Sequence, residues 1–296
     1  MGGADVIPGV SGGTIAFITG IYEELLHSLK SIDLTAFTLL RKFQFAAFWQ
    51  QINGNFLATV LAGIATSAIS MAKVLSYLLD KYPIMVWSFF FGLILISSPL
   101  ILRTIKRWRI GVIVAFIVGA GVAYTITILS PTQTPEALWF IFFAGCFAIC
   151  AMILPGISGA FILLLLGKYE FIIRSLLDVN LAVIVVFIIG CVAGLVSFSH
   201  LLTWILDHYH DLTIALLAGF MIGSLNKVWP WKEVLSFRIN SNGQQVAATD
   251  RSILPWDYLT ITGHDPQVFQ AIMMAASGVF IVVVIEKIAE RFKTKF

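Results

Sequence analysis

The chain has 296 residues, of which 59% are hydrophobic and only 12% are charged, and its mean hydropathy is +0.93. Soluble domains carry about 25% charged residues, so this composition excludes an ordinary water-soluble domain and predicts a protein of the membrane bilayer. The net charge of +3 is small, and no nucleic-acid partner is expected. Cys146, Cys150 and Cys191 lie in apolar runs without metal-type spacing, so neither a metal nor a cofactor is expected.

Several stretches without Asp, Glu, Lys or Arg are long enough to cross a bilayer, which takes about 20 helical residues for a layer of about 30 Å. In chain order they are residues 54–72, 84–102, 110–135, 137–167, 179–206 and 266–285. Residues 212–226 form a shorter apolar segment, which could be a tilted or an incomplete span. Small-xxx-small patterns at 190–194 and 219–223 indicate close helix packing. The pattern predicts an all-α, polytopic membrane protein.

Residues 4–29 and 151–176 are similar to each other. The first block reads ADVIPGVSGGTIAFITGIYEELLHSL and the second reads AMILPGISGAFILLLLGKYEFIIRSL, and eleven of the 26 aligned positions are identical without a gap. Matches of Pro, Gly, Ser, Tyr and Glu do not follow from a shared apolar composition. The likeness continues after a shift of twenty residues, where residues 80–82 align with residues 207–209. The sequence therefore predicts an internal repeat.

The repeat divides the chain into two halves, residues 1–130 and 131–296. The first half contains an insert, residues 34–53, in which five aromatic residues lie beside Arg41 and Lys42. This composition predicts a segment that lies along the membrane surface. The second half contains a longer polar segment, residues 227–265, which is expected on the outer side.

Basic residues are concentrated in three segments, residues 30–53, 103–109 and 287–296. Cytoplasmic loops of membrane proteins are rich in Lys and Arg, so these segments are expected in the cytoplasm. The loop at residues 80–82 is then outside, whereas its repeat partner at residues 207–209 is inside. The two halves are therefore predicted to have inverted topology. The outer segment 227–265 carries four further basic residues, but long loops follow the rule poorly.

Both repeat blocks contain a Pro-Gly-x-Ser-Gly motif. Proline removes a helix donor and glycine relaxes the backbone, so the Pro-Gly pairs at 8–9 and 155–156 are each expected to interrupt a helix. The uncharged run 137–167 has 31 residues, and as one helix it would measure about 46 Å, too long for a single span. A helix from Ser158 to Glu170 rises about 18 Å, from the bilayer centre to the headgroups. Each half is therefore predicted to contain a re-entrant broken-helix hairpin.

Such interruptions are typical of substrate sites in secondary transporters. The N-terminus of a half-helix offers free N–H groups to an anion. The hydroxyl groups of Ser11, Thr14 and Ser158 could add donors, and the glycines allow close approach. The alternative is a kink that serves packing alone, although its duplication favours a site. The predicted substrate-binding residues are Pro8, Gly9, Ser11, Gly12, Gly13, Thr14, Pro155, Gly156, Ser158 and Gly159.

A second group of ionisable residues comprises candidates for gating or ion coupling, namely Asp5, Glu23, Glu170, Arg174, Lys73 and His200. Glu23 and Glu170 could control access or carry coupling protons. Lys73 and His200 occupy equivalent repeat positions, where an intramembrane charge suggests a function. Lys73 could instead simply extend to the membrane surface. Glu170 and Arg174 could pair on one helix face.

The blocks MGGADVIPGVSGGTIAFITGIYEEL and AMILPGISGAFILLLLGKYE resemble the bacterial polyprenyl-phosphate transporter family, PopT, and the likeness covers essentially the whole chain. The resemblance implies a multi-pass protein of the bacterial cytoplasmic (inner) membrane. It implies that the protein moves undecaprenyl phosphate, a polyprenyl-phosphate lipid carrier, from the outer to the inner leaflet for reuse in cell-envelope synthesis. Family members usually have a helix before the first motif, whereas Met1 aligns with Ala148 here. The chain is therefore expected to lack about one helix at its start.

Two other functions stay open. Polyprenyl-diphosphate phosphatases also have inverted membrane repeats and a PGxSRS-like turn. Here Gly12-Gly13 and Gly159-Ala160 follow the two serines, without the arginine that would stabilise charge in phosphoryl chemistry. A carrier of a small soluble anion fits the half-helices equally well. The preferred function is transport without catalysis, with protons or other ions as candidate coupling partners.

Overall fold

The computed structural model describes residues 1–5, 11–132, 134–239 and 245–293, most of which are helical. The helices are α1 (Gly2–Asp5), α2 (Gly12–Ile18), α3 (Tyr22–Lys30), α4 (Leu34–Arg41), α5 (Phe45–Gln51), α6 (Gly54–Lys81), α7 (Pro83–Leu102), α8 (Ile110–Ile128), α9 (Leu138–Ile153), α10 (Gly159–Leu165), α11 (Tyr169–Leu177), α12 (Leu181–Ser224), α13 (Pro255–Thr262) and α14 (Val268–Lys293). Between α12 and α13, β1 (Lys232–Ile239) and β2 (Gln245–Ser252) form an antiparallel hairpin.

Among the described residues, five helices are long and apolar enough to cross a bilayer, namely α6, α7, α8, α12 and α14. They coincide with five of the predicted spans. Many large apolar side chains on these helices point away from the protein, as Ile117 on α8 and Ile188 on α12 do. A hydrocarbon environment accommodates such side chains. The prediction of a polytopic, mostly helical membrane protein is therefore confirmed.

The remaining predicted span, residues 137–167, is broken at its Pro-Gly pair. α9 ends at Ile153 and α10 begins at Gly159. Between them, Gly156 has a φ of +90°, which glycine adopts far more readily than other residues. The start of α10 packs on α9, since a methyl group in place of the Gly159 hydrogen would lie 2.5 Å from the carbonyl oxygen of Ala148.

α12 consists of two helices that meet at Tyr209, whose φ of −132° and ψ of 45° are not helical. The first part corresponds to the predicted span at 179–206. The second part ends at Ser224 and corresponds to the short apolar segment predicted at 212–226. From Tyr209 to Ser224 the chain rises about 22 Å, so this part is shorter than a full span of about 30 Å.

Glycines allow both parts of α12 to pack closely on other helices. Gly190 and Gly194 in the first part lie against α9, and Gly219 and Gly223 in the second part lie against α8. A side chain at any of these positions would collide with the backbone of the neighbouring helix. The packing role predicted for the two small-xxx-small patterns is therefore confirmed.

One end of the molecule, here called the insert end, contains α3, α4, α5 and the Tyr209 break. There, Nζ of Lys30 lies 3.6 Å from Oδ2 of Asp207. The amide of Arg107 donates a hydrogen bond to Asp211 at 3.2 Å. The segments 30–53, 103–109 and 207–209, all expected in the cytoplasm, thus lie together.

The other end of the molecule, here called the hairpin end, contains β1 and β2. Ile84, at the start of α7, packs there with Trp231 and Ile253. Residues 80–82, predicted as a loop, lie at the end of α6 just before α7 and therefore near the hairpin. The two segments that the repeat aligns, 80–82 and 207–209, lie at different ends.

The hairpin is the main departure from the predicted all-α class. Its pairing runs from Lys232 opposite Ser252 to Ile239 opposite Gln245. The segment 227–265 was interpreted only as a polar loop, although β1 contains the Val, Phe and Ile residues that favour strands. In the part of the chain that the structure describes, the fold is therefore that of a helical membrane protein with a β-hairpin at one end of the molecule.

The insert 34–53 forms α4 and α5. The side chains of Phe37, Phe43 and Phe45 are mostly exposed. Exposed aromatic groups beside basic residues suit a segment at the interface of a membrane. The position of the insert at the membrane surface stays a prediction.

Candidate functional site

Ser11 joins the start of α2 to the end of α9. Its hydroxyl group accepts a hydrogen bond from the amide of Gly13 at 3.1 Å and thereby caps α2. The same hydroxyl group is the donor to two backbone carbonyl oxygens, that of Met152 at 3.1 Å and that of Leu154 at 3.2 Å. Both carbonyl groups lie immediately before the second motif. Ser11 of the first motif is therefore bonded to the backbone that leads into the second.

Thr14 and Gly156 form another link between the motifs. The amide of Gly156 donates a hydrogen bond to the hydroxyl oxygen of Thr14 at 2.9 Å, and both groups are buried. Gly13 permits this approach, because a methyl group there would lie 2.6 Å from the carbonyl oxygen of Ile153. The region formed by Ser11, Gly13, Thr14 and Gly156 is here called the motif junction. The two motifs thus contact each other directly.

The second motif differs from the first at its serine. Ser158 is buried at the N-cap position of α10, but its side chain makes no capping hydrogen bond. Pro155 is also fully buried. Gly156 faces the second part of α12, where a methyl group would lie 2.9 Å from both the Phe220 carbonyl oxygen and the Ser224 hydroxyl. The two serines, equivalent in the repeat, are therefore bonded differently.

Asp5 occupies the start of α2. Its Oδ1 accepts a hydrogen bond from the amide of Gly12 at 2.6 Å. Its Oδ2 is buried and has no hydrogen-bond partner within the described residues. The helix start that was predicted to receive an anion is therefore bonded to a carboxylate of the protein itself. Pro8 and Gly9, two predicted substrate-binding residues, lie outside the described residues.

A cavity of about 370 Å³ lies at the insert end of α2 and is here called the inner cavity. Tyr22 lines it with a buried hydroxyl group that has no hydrogen-bond partner in the described part of the chain. Glu23 and His210 also line it, and Oε1 of Glu23 lies 3.4 Å from Nε2 of His210. Glu286 of α14 is a further lining residue. Glu23, a predicted gating residue, therefore lies at a cavity.

A narrower recess lies at the hairpin end of the second motif. Its polar lining includes Ser158, Ser224 and Lys227, and Gly156 contributes backbone. The recess has a volume of about 10 Å³, which is room for about one water molecule. The sequence did not indicate Lys227 as a site residue. The only sequence signal was its position as the first charge after the second part of α12.

Lys227 belongs to a cluster with Lys232 and Asp250. Oδ2 of Asp250 lies 3.2 Å from Nζ of Lys227 and 3.3 Å from Nζ of Lys232. Burial, together with the charge of Lys227, lowers the pKa of Lys232 to about 8. Burial alone would raise the pKa of Asp250, but the two lysines outweigh it and hold that pKa below its usual value. The carboxylate therefore stays ionised between them.

The other predicted gating residues line neither the inner cavity nor the recess. Lys73 is exposed on α6. His200 is half-buried on α12, and its Nδ1 lies 2.8 Å from the carbonyl oxygen of Val196. Glu170 and Arg174 both lie on α11, where Arg174 is exposed. The structure thus brings the motif residues together without these four.

The spanning helices, the broken span and the motif junction define a polytopic helical membrane protein with a buried polar contact between two related motifs. The chain belongs to the undecaprenyl phosphate translocase-like family, whose profile matches residues 1–246. This confirms the family that the two motif blocks indicated.

Two relatives have the same name, polyprenyl-phosphate transporter. The relative from Vibrio cholerae serotype O1 is 45% identical over 291 residues, which cover 98% of this chain and 94% of that protein. The relative from Staphylococcus aureus is 30% identical over 253 residues, which cover 78% of this chain and 83% of that protein. No solved structure gives a significant match.

Proposed function

We propose that this protein transports a polyprenyl phosphate across the membrane and does not catalyse a reaction on it. The observation that carries the proposal is the similarity, along nearly the whole chain, to a transporter named for this substrate. We further propose that the substrate is undecaprenyl phosphate and that the protein lies in the bacterial inner membrane. Transport would run from the outer to the inner leaflet, which returns the lipid carrier for reuse.

Two inverted repeats, each with a re-entrant hairpin, are the architecture that we propose for this transport. Several contacts support it. The repeat-related segments 80–82 and 207–209 lie at different ends of the molecule, near Trp231 and Lys30 respectively. The start of α10 packs on α9 after the Pro-Gly break. With the basic segments in the cytoplasm, the insert end would be cytoplasmic and the hairpin end would face outward.

The motif junction is the point that the phosphate head would pass. The inner cavity approaches it along α2 from the insert end, and the recess approaches it at Gly156 and Ser158 from the hairpin end. The inner cavity measures about 370 Å³ and the recess about 10 Å³. We assign this arrangement to a state that is open toward the cytoplasm. Transport requires a second state in which the recess widens.

Binding at the junction would exchange one set of hydrogen bonds for another. The hydroxyl group of Ser11 and the amide of Gly156 are donors, and both are bonded to protein acceptors. Phosphate oxygens accept strong hydrogen bonds from such groups. A phosphate placed between the motifs could take both donors once the close contacts of Gly13 with Ile153 and of Gly12 with Asp5 open. The prenyl tail would stay in the surrounding lipid.

Release toward the cytoplasm is supported by a basic cavity at the insert end. Lys106, Arg107, Arg109 and His208 line this cavity of about 500 Å³. His210 lines both this cavity and the inner cavity. Positive charge raises the local concentration of an anionic substrate. The pair of Glu23 with His210 stands between the two cavities, and we propose it as the gate or proton-coupling group on this side.

Purified protein in vesicles tests the function directly. Polyprenyl phosphate is added to one leaflet, and its appearance in the other leaflet is measured with an impermeant reagent against vesicles without protein. Protein-dependent exchange supports the proposal. Exchange of inorganic phosphate instead of the lipid would favour the small-anion carrier. Release of phosphate from a polyprenyl diphosphate would favour the phosphatase.

A further inference from the structure

Lys227, Lys232 and Asp250 form a charged cluster that the function proposed above does not use. Their side chains are only 18%, 15% and 25% exposed. Nζ of Lys227 reaches both carboxylate oxygens of Asp250, at 3.3 and 3.2 Å, and Nζ of Lys232 reaches Oδ2 at 3.3 Å. Two ammonium groups thus share one carboxylate in a largely buried position. Buried charges are stable only when they are paired, so the cluster has capacity for more negative charge.

Aromatic rings and a carbonyl group hold the two lysines in place. Nζ of Lys227 lies 4.7 Å from the ring centre of Phe161, which belongs to α10. Nζ of Lys232 lies 5.9 Å from the ring centre of Trp87 and donates to the carbonyl oxygen of Lys227 at 2.7 Å. Ring faces attract ammonium groups at such distances. The cations are therefore oriented by the protein and do not move as free surface charges.

The position of the cluster relates it to the second motif. Lys227 lines the recess together with Gly156 and Ser158. Asp250 lies on β2, so its ion pair with Lys227 connects the hairpin to the end of α12. A second contact, from the hydroxyl of Ser252 to Oδ1 of Asn226 at 2.9 Å, fixes the same connection. The hairpin is thus joined to Lys227, a lining residue of the recess.

We propose that Lys227 and Lys232 form the site that receives the phosphate head of the lipid at the hairpin end, and that Asp250 occupies this site until the phosphate displaces it. This inference rests on the proposed function and names the part of the protein that first binds the substrate. A phosphate monoester carries about −1.5 to −2 charges at pH 7 and three acceptor oxygens. It therefore satisfies two ammonium groups better than one carboxylate does.

Displacement of Asp250 also explains how a closed recess could admit a phosphate. The recess now has room for about one water molecule. Loss of the pair between Lys227 and Asp250 would remove one of the contacts that hold β2 to the end of α12 and leave the one between Ser252 and Asn226. The recess could then widen beside Ser158. Substrate binding and opening of the hairpin end would be one event.

The test measures binding of farnesyl phosphate to the purified protein in detergent, with farnesol and inorganic phosphate as comparison ligands. Lys227→Gln and Lys232→Gln should each weaken binding of farnesyl phosphate about tenfold or more, the effect of one charged hydrogen bond. Asp250→Asn should strengthen it, because the competing anion is gone. Arg251→Gln is the matched control, since Arg251 is on the same hairpin and pairs with Glu233 at 2.7 Å. It should bind like the unchanged protein.

The outcomes separate the inference from the function on which it rests. If the unchanged protein binds no farnesyl phosphate, or binds farnesol equally well, the proposed function fails. If it binds farnesyl phosphate but Lys227→Gln binds equally tightly, only the inference fails. If Asp250→Asn binds farnesyl phosphate more weakly than the unchanged protein, the cluster has a structural role and the inference fails. Lys227→Arg keeps the charge and should retain most of the binding, which distinguishes loss of charge from loss of folding. If inorganic phosphate binds more tightly than farnesyl phosphate, the assignment of a lipid ligand is overturned.

Discussion

The hydroxyl oxygen of Thr14 accepts a hydrogen bond from the amide of Gly156 at 2.9 Å, across 142 residues of chain. Thr14 belongs to the first repeat block and Gly156 to the motif of the second block. The first block therefore supplies a partner for the backbone of the second motif. A change at either residue is expected to act on both halves of the protein.

Thr14→Val removes the acceptor while it keeps the shape of the side chain. The buried amide of Gly156 would lose its partner, which costs about 1–3 kcal/mol. We expect a lower unfolding temperature in detergent and slower lipid exchange in vesicles. Thr14→Ser keeps the hydroxyl group and should restore both. Thr125→Val is the control, because Thr125 is exposed on α8; an equal loss in that variant would contradict the role of the junction.

Gly13→Ala tests how closely the motifs must approach. The new methyl group would lie 2.6 Å from the carbonyl oxygen of Ile153, and overpacking of this kind costs about 1–3 kcal/mol. Backbone cannot move aside as a side chain can, so the junction should separate and transport should fall severalfold. In Gly121→Ala the methyl group meets nothing within 4 Å, and this variant should keep full transport. Normal transport by the Gly13 variant would show that the contact is dispensable.

Glu23→Gln tests the gate proposed at the inner cavity. The pair of Glu23 with His210 is about half exposed, and exposed pairs add at most about 1 kcal/mol to stability. The variant should therefore fold normally. We expect slower transport with unchanged affinity for farnesyl phosphate. Glu24→Gln changes the neighbouring carboxylate, which bonds to Asn53 at 3.1 Å, and should transport normally; equal effects of both changes would argue against a gate.

The pKa of Lys232, about 8, predicts how binding depends on pH. Below pH 8 the ammonium group is charged and can hold a phosphate. Above pH 8 the group loses its proton, so affinity for farnesyl phosphate should be constant up to about pH 8 and then fall, by at most about tenfold per pH unit. The ligand does not cause this change, because its second pKa is about 6. Neighbouring Asp250 stays ionised over the whole range, since its pKa is lowered.

The control for this pH dependence is Lys232→Arg, because arginine stays charged throughout. Its affinity curve should be flat where that of the unchanged protein falls. Isothermal titration between pH 7 and 10 gives both curves. An equal fall in the arginine variant would assign the pH dependence to another group.

The spans and the break in residues 137–167 followed from local sequence properties. The length of an apolar segment is enough to predict which helices cross a bilayer, and the Pro-Gly pair is enough to predict that α9 ends before it. The pairing of Thr14 with Gly156 could not be derived in this way. It depends on how two distant segments pack, and the duplicated motif indicated only that the segments are related.

The cluster at the hairpin end shows what the sequence analysis missed. Lys227 and Lys232 were counted only as basic residues of a long outer segment. Their common partner, Asp250, is on β2, and the fold of the hairpin against the end of α12 brings the three charges together. The hydrogen bond between Asp5 and Gly12 was not predicted for a similar reason, since it depends on the fold of the first motif. Charge counting does not identify such partners.

The break at Tyr209 is a candidate hinge within α12. The part of α12 before it packs on α9 at Gly190 and Gly194, and the part after it packs on α8 at Gly219 and Gly223. Bending at this one residue would swing two stiff helix pairs past each other, and neither pair would have to repack internally. Gly156 follows α9 of the first pair and lies against Ser224 of the second, so such bending would shift the second motif relative to the recess. A small rotation at the insert end would be enlarged, by the length of a helix, at the opposite surface.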